Sequence, residues 1–187
     1  MFPHAFHRMP HPAVLLGLIA IGCLPGTSAL AQSAAVGARL TALEDESEIR
    51  YLLDHYMDVL GAADWDAYVQ LFTEDGELVM AEGTRRGRQD IKERMAGATA
   101  RMAAASTGQP VRRRAELLSN IRVRVDGDTA SAQSRFTFIG EAADGSFHVT
   151  GSGLYSDTWE RGSDDVWRIK SRTVDYDMLR GATPAPD

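Results

Sequence analysis

Apolar positions recur at helical spacing in the first half of the chain. Ile49, Leu53, Tyr56 and Leu60 follow one another at intervals of four, three and four residues, which places them on one face of an α-helix. Charged residues fall mostly on the opposite face. The pattern predicts an amphipathic helix with one phenol, Tyr56, on an otherwise apolar surface. If the chain has an active site, we expect it to begin at this phenol.

Signals for helix ends surround this segment. Thr41 with Glu44 has the spacing of a capping box and predicts the start of the first helix, and Gly61 predicts its end. Asp64 then predicts the N-cap of a short second helix. The side chains that this second helix turns inward are Trp65, Tyr68, Val69 and Phe72.

The middle of the chain contains shorter elements. We predict a turn at residues 73–76, a short strand at 77–81 and a further turn at 83–87. Helical spacing of apolar residues returns from residue 88 to about 102 and predicts a third helix. A loop of small residues follows at 103–110.

The second half of the chain changes to a two-residue alternation of apolar and polar positions. The alternation predicts strands at 116–125, 129–140, 146–160 and 166–178, joined by tight turns such as 126–128. Four such strands form an antiparallel meander. Helices first and strands after is typical of an α+β fold, with the helices packed on one face of a bent sheet.

The N-terminus has the pattern of a secretory signal peptide. A segment with Arg8 and no acid precedes an apolar run at 13–22 and an Ala-Leu-Ala cleavage signal at 29–31. We therefore expect an exported protein, periplasmic or secreted; a lipoprotein anchored at Cys23 is a minor alternative. The predicted organisation is a signal peptide at 1–31, a linker at 32–40, one domain at 41–178 and a flexible tail at 179–187.

Charge and composition exclude several partners. The net charge is −6, and all 26 acidic residues follow residue 31, which does not suit nucleic acid or an anionic membrane surface. Cys23 is the only cysteine, so the exported chain would have no disulfide or thiol nucleophile. Histidine and carboxylate spacings typical of metal sites and glycine-rich phosphate loops are absent from the sequence. We expect no cofactor, no nucleic acid and no membrane partner after signal cleavage.

Several segments carry a family resemblance through their order and spacing. They are EIRYLLDHY from residue 48, ADWDAYVQLFTEDGEL from 63, GRQDI from 87, NIRV from 120, DGDTA from 126, GLYSD from 153 and WRI from 167. Together they resemble the SnoaL-like family of the NTF2-like (nuclear transport factor 2-like) superfamily. The resemblance implies a cone in which a curved antiparallel sheet wraps around three N-terminal helices, with an apolar pocket inside. It also implies a small apolar ligand or substrate and a homodimer.

The resemblance assigns a role to Tyr56 and shows that two residues of the family pattern are absent from this chain. Tyr56 matches a pocket tyrosine that can donate a hydrogen bond to a carbonyl or leaving oxygen; the alternative is a core tyrosine whose hydroxyl bonds to the backbone. Dehydratase-like members carry an Asp five residues later and a His before the Asn-x-x-Val element. Gly61 and Glu116 stand at these positions here, so the family's Asp–His pair is missing.

Two residues could replace the missing base. Glu116 would act as a base in an apolar pocket, or it is an exposed carboxylate paired with Arg112, Arg113 or Arg114. His148 would act as one if its ring reaches the concave face; in the reading we favour, it shares the outer face with Thr150 and Ser152. Residues expected to line the pocket, or to form the core instead, are Trp65, Phe72, Met80, Asn120, Phe136, Phe138, Tyr155 and Tyr176.

Two functions remain open. The first is a cofactor-independent dehydratase or isomerase acting on a small apolar or polycyclic molecule, with Tyr56 stabilising an oxyanion and Glu116 or His148 moving the proton. The second is a non-catalytic periplasmic module for ligand binding or dimeric assembly. The missing Asp and His favour the second; Tyr56 and the aromatic residues favour the first.

Overall fold

The computed structural model describes residues 25–105, 114–142 and 144–179. The chain divides into two compact units, residues 1–37 and 38–187. Most of the predicted signal peptide and the tail beyond residue 179 lie outside the described residues. The helices are α1 (Pro25–Ala62), α2 (Trp65–Gln70) and α3 (Gly87–Ala105), and the strands are β1 (Phe72–Met80), β2 (Gly83–Arg86), β3 (Arg114–Asp126), β4 (Thr129–Glu141), β5 (Phe147–Arg161) and β6 (Trp167–Leu179).

The six strands form one curved, unclosed sheet in the order β2-β1-β6-β5-β4-β3. The predicted meander of β3 to β6 is confirmed, and so is the α+β class. One pair departs from the expected antiparallel sheet, because β1 runs parallel to β6 and places Leu78 opposite Arg172. This pairing places the strand after the first two helices between the edge strand β2 and the last strand of the chain.

One face of the sheet packs against the helices and is called the inner face here. Buried residues alternate along β5, where Tyr155, Asp157 and Trp159 point inward at 4% exposure or less. Helix α1 contributes Ile49 and Leu53, both fully buried. Burial of a large apolar side chain contributes about 1.5–3 kcal/mol to stability. The apolar face of α1 and the inward positions of β5 belong to one hydrophobic core.

The boundaries of α1 differ from the prediction at both ends. The helix begins at Pro25 and continues through the predicted linker at 32–40, so Thr41 lies within it and caps nothing. The segment is rich in alanine, which has the highest helix propensity. At the other end Gly61 is still helical, and Ala63 takes the left-handed conformation with φ 53°. Among the described residues, no helix is long and apolar enough to cross a membrane.

The predicted turns of the middle segment are strands. Residues 73–76 belong to β1, where the register shifts between Phe72 and Glu77, and residues 83–86 form β2. Phe72 therefore begins a strand and is not part of α2. The cap of α2 is confirmed, since Asp64 Oδ1 accepts a hydrogen bond from the Ala67 amide at 3.0 Å. Helix α3 reaches Ala105, and residues 106–110 of the predicted loop lie outside the described part of the chain.

The turn between β5 and β6 makes a pH prediction. Arg168 donates two hydrogen bonds to Asp164, at 2.9 and 2.8 Å, and this bonding lowers the pKa of Asp164 to about 2. The ionised carboxylate is the form that binds Arg168. Its contribution to stability is therefore complete above pH 3.8, the usual value, and is lost as the pH falls through about 2. An NMR titration should give the Asp164 carboxyl a midpoint near 2. In Arg168→Gln the midpoint should return towards 3.8; an ordinary midpoint in the unmodified protein would contradict the prediction.

Candidate functional site

Two buried phenols from consecutive helices meet at the inner face. The hydroxyls of Tyr56 on α1 and Tyr68 on α2 lie 2.6 Å apart, and both side chains are at most 2% exposed. One hydroxyl donates to the other, so the accepting hydroxyl keeps a proton of its own to donate. The pair therefore presents one further O–H group. The partner of the Tyr56 hydroxyl is therefore another phenol and not the backbone group of the alternative interpretation.

A charged pair lies beside these phenols. Arg172 on β6 and Asp157 on β5 are directly opposite in the register, and Arg172 donates two hydrogen bonds of 2.7 Å to the two carboxylate oxygens. Both side chains are fully buried. The guanidinium carbon lies 3.8 Å from the ring centre of Tyr56 and 4.4 Å from that of Tyr155. The cation is thus held between a carboxylate on one edge and two aromatic faces.

Burial and charge set the protonation of this cluster. Burial raises the pKa of Tyr68 well above its usual value, the neighbouring Tyr56 raises it further, and Arg172 partly opposes both. Burial alone would lower the pKa of Arg172, but the attraction of Asp157 keeps it well above its usual value. At neutral pH the phenol of Tyr68 is therefore a hydrogen-bond donor and Arg172 is a cation.

A row of aromatic rings leads from the phenols towards the surface. Tyr155 stacks on Phe136 with ring centres 4.4 Å apart, and Phe136 contacts Phe138 at 5.0 Å and Tyr176 at 5.2 Å. Tyr155 and Phe136 are at most 2% exposed, whereas Tyr176 is 46% exposed. The row thus connects the buried phenols with the surface through a chain of packed rings.

Glu116 lies at the exposed end of this row, on the inner face. It is directly opposite Phe138 in the register, its side chain is 7% exposed, and Oε1 accepts a hydrogen bond of 2.7 Å from Arg114. The alternative reading is therefore half right: the arginine partner exists, but the carboxylate is buried. Glu116 is therefore a buried carboxylate beside the aromatic row and a candidate base by position.

The structure brings together the two positions where the family pattern is broken. A Cβ atom added to Gly61 would overlap Glu116 Oε2 and would lie 3.3 Å from its Cδ. The carboxylate of Glu116 thus occupies the space that a side chain at position 61 would need. Where dehydratase-like members are expected to carry an Asp and a His, this chain carries a single carboxylate next to a glycine.

His148 is placed by a bulge in β5. Phe138 is opposite Gly151, but Ile139 is opposite Val149, so Thr150 has no partner on β4. This shift turns His148 towards the face of Phe138, contrary to our favoured reading, in which it shared a face with Thr150 and Ser152. Its ring is half-buried, and Nε2 lies 2.8 Å from the Ser146 hydroxyl, which donates to Asp144 at 2.6 Å.

The other predicted lining residues divide into two groups. Trp65 and Phe72 contact the ring of Tyr68 at 5.7 and 5.6 Å, and Met80 packs partly buried against the core. Asn120 is exposed, with φ 52°, because the register of β3 shifts between Ser119 and Arg122 and leaves it out of the ladder. The structure therefore does not bring Asn120 to the ring cluster.

Two members of the cluster, Tyr68 and Asp157, were missed as site residues. A signal for Asp157 was present in the sequence, since it falls in phase with Tyr155 and Trp159 on a strand whose inward positions are aromatic. A carboxylate in such a phase needs a buried cation. Which arginine supplies it could not be read from the strand pattern alone.

Neither the arginines near β2 nor a metal-binding cluster adds a second candidate site among the described residues. Arg85 and Arg86 pair with Asp90 and Glu77, and Arg88 donates to the carbonyl of Phe72. Across residues 25–105, 114–142 and 144–179 no group of three or more side chains could hold a metal ion.

Comparisons with known proteins identify the family. Solved structures that share the fold include an NTF2-like protein with a cystatin-like fold from Novosphingobium aromaticivorans, with 30% sequence identity, 79% of this chain and 90% of that chain covered, and a TM-score of 0.64. A Mycobacterium tuberculosis protein of unknown function has 28% identity, with 74% of this chain and 75% of that chain covered and a TM-score of 0.61. A candidate aromatic ring hydroxylase from Novosphingobium aromaticivorans has 25% identity, with 73% of this chain and 91% of that chain covered and a TM-score of 0.58. Among curated proteins none matches the sequence. The model of the SnoaL-like domain matches residues 41–173. The chain belongs to the SnoaL-like family, within the NTF2-like superfamily.

Proposed function

We propose that this protein is a cofactor-independent enzyme that removes a proton next to the carbonyl group of a small apolar molecule. The match to the SnoaL-like family supports a protein of ligand-binding or isomerase type. The observation that carries the proposal is Glu116: its carboxylate is buried beside Gly61, on the same face as the aromatic row that ends at the phenol pair. A base at one end and an O–H donor at the other are the two groups that enolisation needs.

The proton moves in a closed cycle. Glu116 takes the proton from the carbon next to the carbonyl, and the C–H electrons form the enolate double bond. The carbonyl oxygen gains negative charge and accepts the hydrogen bond of the Tyr56–Tyr68 pair. Return of the proton to a different carbon completes an isomerisation. Its transfer to a β-hydroxyl group, which departs as water, completes a dehydration.

The proposed substrate is a cyclic ketone whose oxygen binds at the phenols, with its rings against the aromatic row. Tyr56 and Gly61 are five residues apart on α1, about 7.5 Å along the helix axis, so the phenol pair and the carboxylate beside Gly61 lie at different levels of the helix. Tyr155 and Phe136 are at most 2% exposed, so a ring that lies against them must first displace part of this packing.

The test uses 2-tetralone as the probe and follows deuterium exchange of its α-protons by NMR in D₂O with the full chain. Exchange is the first step of both isomerisation and dehydration, so the probe does not depend on the product. The protein should accelerate exchange over buffer, and Glu116→Gln should reduce the acceleration by about 10²–10⁴-fold. Tyr56→Phe/Tyr68→Phe should reduce it by about 10²–10³-fold, because either hydroxyl alone would still have an O–H to donate.

Glu93→Gln provides the matched control. Glu93 is an exposed residue of α3 whose carboxylate accepts a hydrogen bond from Gln89, so the same chemical change there should leave exchange intact. No acceleration by the unmodified protein, or equal acceleration in Glu116→Gln, would contradict the proposal.

A second candidate is a binding module without catalysis. It is supported by the Tyr56 hydroxyl, whose hydrogen-bond partner is Tyr68 and not a carboxylate or imidazole. Binding of 2-tetralone, seen as line broadening of its NMR signals, without any α-proton exchange would favour this function. Export, periplasmic location and the homodimer stay predictions.

A further inference from the structure

The ion pair with Asp157 satisfies only part of the Arg172 guanidinium. Its Nε and Nη2 atoms bind Asp157, but Nη1 is buried without a hydrogen-bond acceptor among the described residues. A buried donor left without an acceptor destabilises the fold. Aliphatic side chains would satisfy the same space at no such cost.

The ring faces beside the guanidinium account for this arrangement. Its central carbon lies 3.8 Å from the ring centre of Tyr56 and 4.4 Å from that of Tyr155. A cation over the face of a phenol is attracted by the ring electrons. The attraction increases as negative charge moves from the hydroxyl into the ring, which happens when the hydroxyl donates to a developing oxyanion.

The identity of the residue supports an electrostatic role. A guanidinium is planar, so it can lie against ring faces while its edge binds a carboxylate with two parallel hydrogen bonds; an ammonium group cannot do both. Asp157 and Arg172 face each other across β5 and β6, so two rigid strands fix the cation relative to Tyr56.

We propose that Arg172 is a positioning residue that makes the Tyr56–Tyr68 hydroxyl pair a stronger hydrogen-bond donor by holding a cation against the Tyr56 ring. This inference rests on the proposed function only in one respect, namely that the donor stabilises the oxyanion of a substrate. It predicts that a site with the same phenols and no cation binds the same apolar ligand but stabilises an oxyanion less well.

The effect can be measured without a substrate. Incorporation of 3,5-difluorotyrosine at position 68 lowers the pKa of that phenol. Its ionisation is then followed by absorbance as the pH is raised. Burial raises the pKa of Tyr68, and Arg172 works against that rise. Removal of the cation should therefore raise the midpoint of the probe by about one pH unit.

The variant must keep the fold, so the pair is replaced together as Asp157→Leu/Arg172→Met, which leaves no buried charge unpaired. Arg172→Lys retains a cation and should give a smaller rise. Lys170→Met is the matched control, because Lys170 is a cation of the same strand that pairs with Asp75 and Glu160, and its removal should leave the midpoint unchanged.

A midpoint in the double variant equal to that of the unmodified background would overturn the inference and leave Arg172 with a structural role. Equal rises in Arg172→Lys and the double variant would overturn it as well, since the charge would then be irrelevant. The two proposals fail separately: a shifted probe without α-proton exchange removes the enzyme and keeps the Arg172 effect. Exchange with an unmoved probe does the reverse.

Discussion

Replacing Arg172 alone with methionine should lower the free energy of unfolding by about 3–5 kcal/mol. Asp157 would remain fully buried without its two hydrogen bonds of 2.7 Å, and an uncompensated buried carboxylate is among the most costly defects in a core. Urea unfolding followed by tryptophan fluorescence measures the change, because Trp159 and Trp167 are both buried in the same core.

The double variant separates the charge from the packing. In Asp157→Leu/Arg172→Met both charges are gone and two apolar side chains of similar size remain, so most of the stability lost in Arg172→Met should return. A double variant as unstable as the single one would show that the shape of the guanidinium between the rings, and not the unpaired carboxylate, accounts for the loss. That outcome would contradict the prediction.

Gly153→Ala should lower the free energy of unfolding by about 3 kcal/mol or more, although it adds only one methyl group. A Cβ atom there would overlap the backbone carbonyl of Asp175 and would lie only 2.6 Å from Phe136 Cζ. Neither neighbour can move away easily, because Asp175 is in the β6 ladder and Phe136 is packed between Tyr155 and Tyr176. Thermal unfolding of the purified variant measures the loss.

Gly37→Ala is the control for this substitution. Gly37 is helical, and a methyl group added there would have nothing within 4 Å, so alanine should raise helix stability by about 0.5–1 kcal/mol or leave it unchanged. A Gly153→Ala protein that unfolds like the unmodified chain would mean that β5 and β6 separate there without cost.

The periodic helices and strands could be predicted from the sequence because the polarity of each residue indicates whether its side chain faces the core or the solvent. The four long strands and the cap at Asp64 were predicted correctly for this reason. Single-residue irregularities were not. The unpaired Thr150 reverses the facing of His148, and nothing in the alternation marks where an extra residue enters a strand. The start of α1 was misplaced because a capping box predicts where a helix can begin and not whether it does.

The candidate site was predictable in part. Tyr56 and the aromatic residues followed from apolar phase, and Glu116 from the resemblance. The Tyr56–Tyr68 and Arg172–Asp157 contacts could not be predicted, because each joins two elements whose relative placement depends on the parallel pairing of β1 with β6 or on the register of β5 with β6. Such contacts are decided by tertiary packing and not by local pattern.

The close fit of Glu116 to Gly61 restricts how this site can change. A side chain at position 61 requires the end of the glutamate side chain to move away. An aspartate at 61 would in addition place two carboxylates side by side, and each would then disfavour the ionised form of the other. The two positions are therefore coupled, and a change at position 61 alters what Glu116 can do.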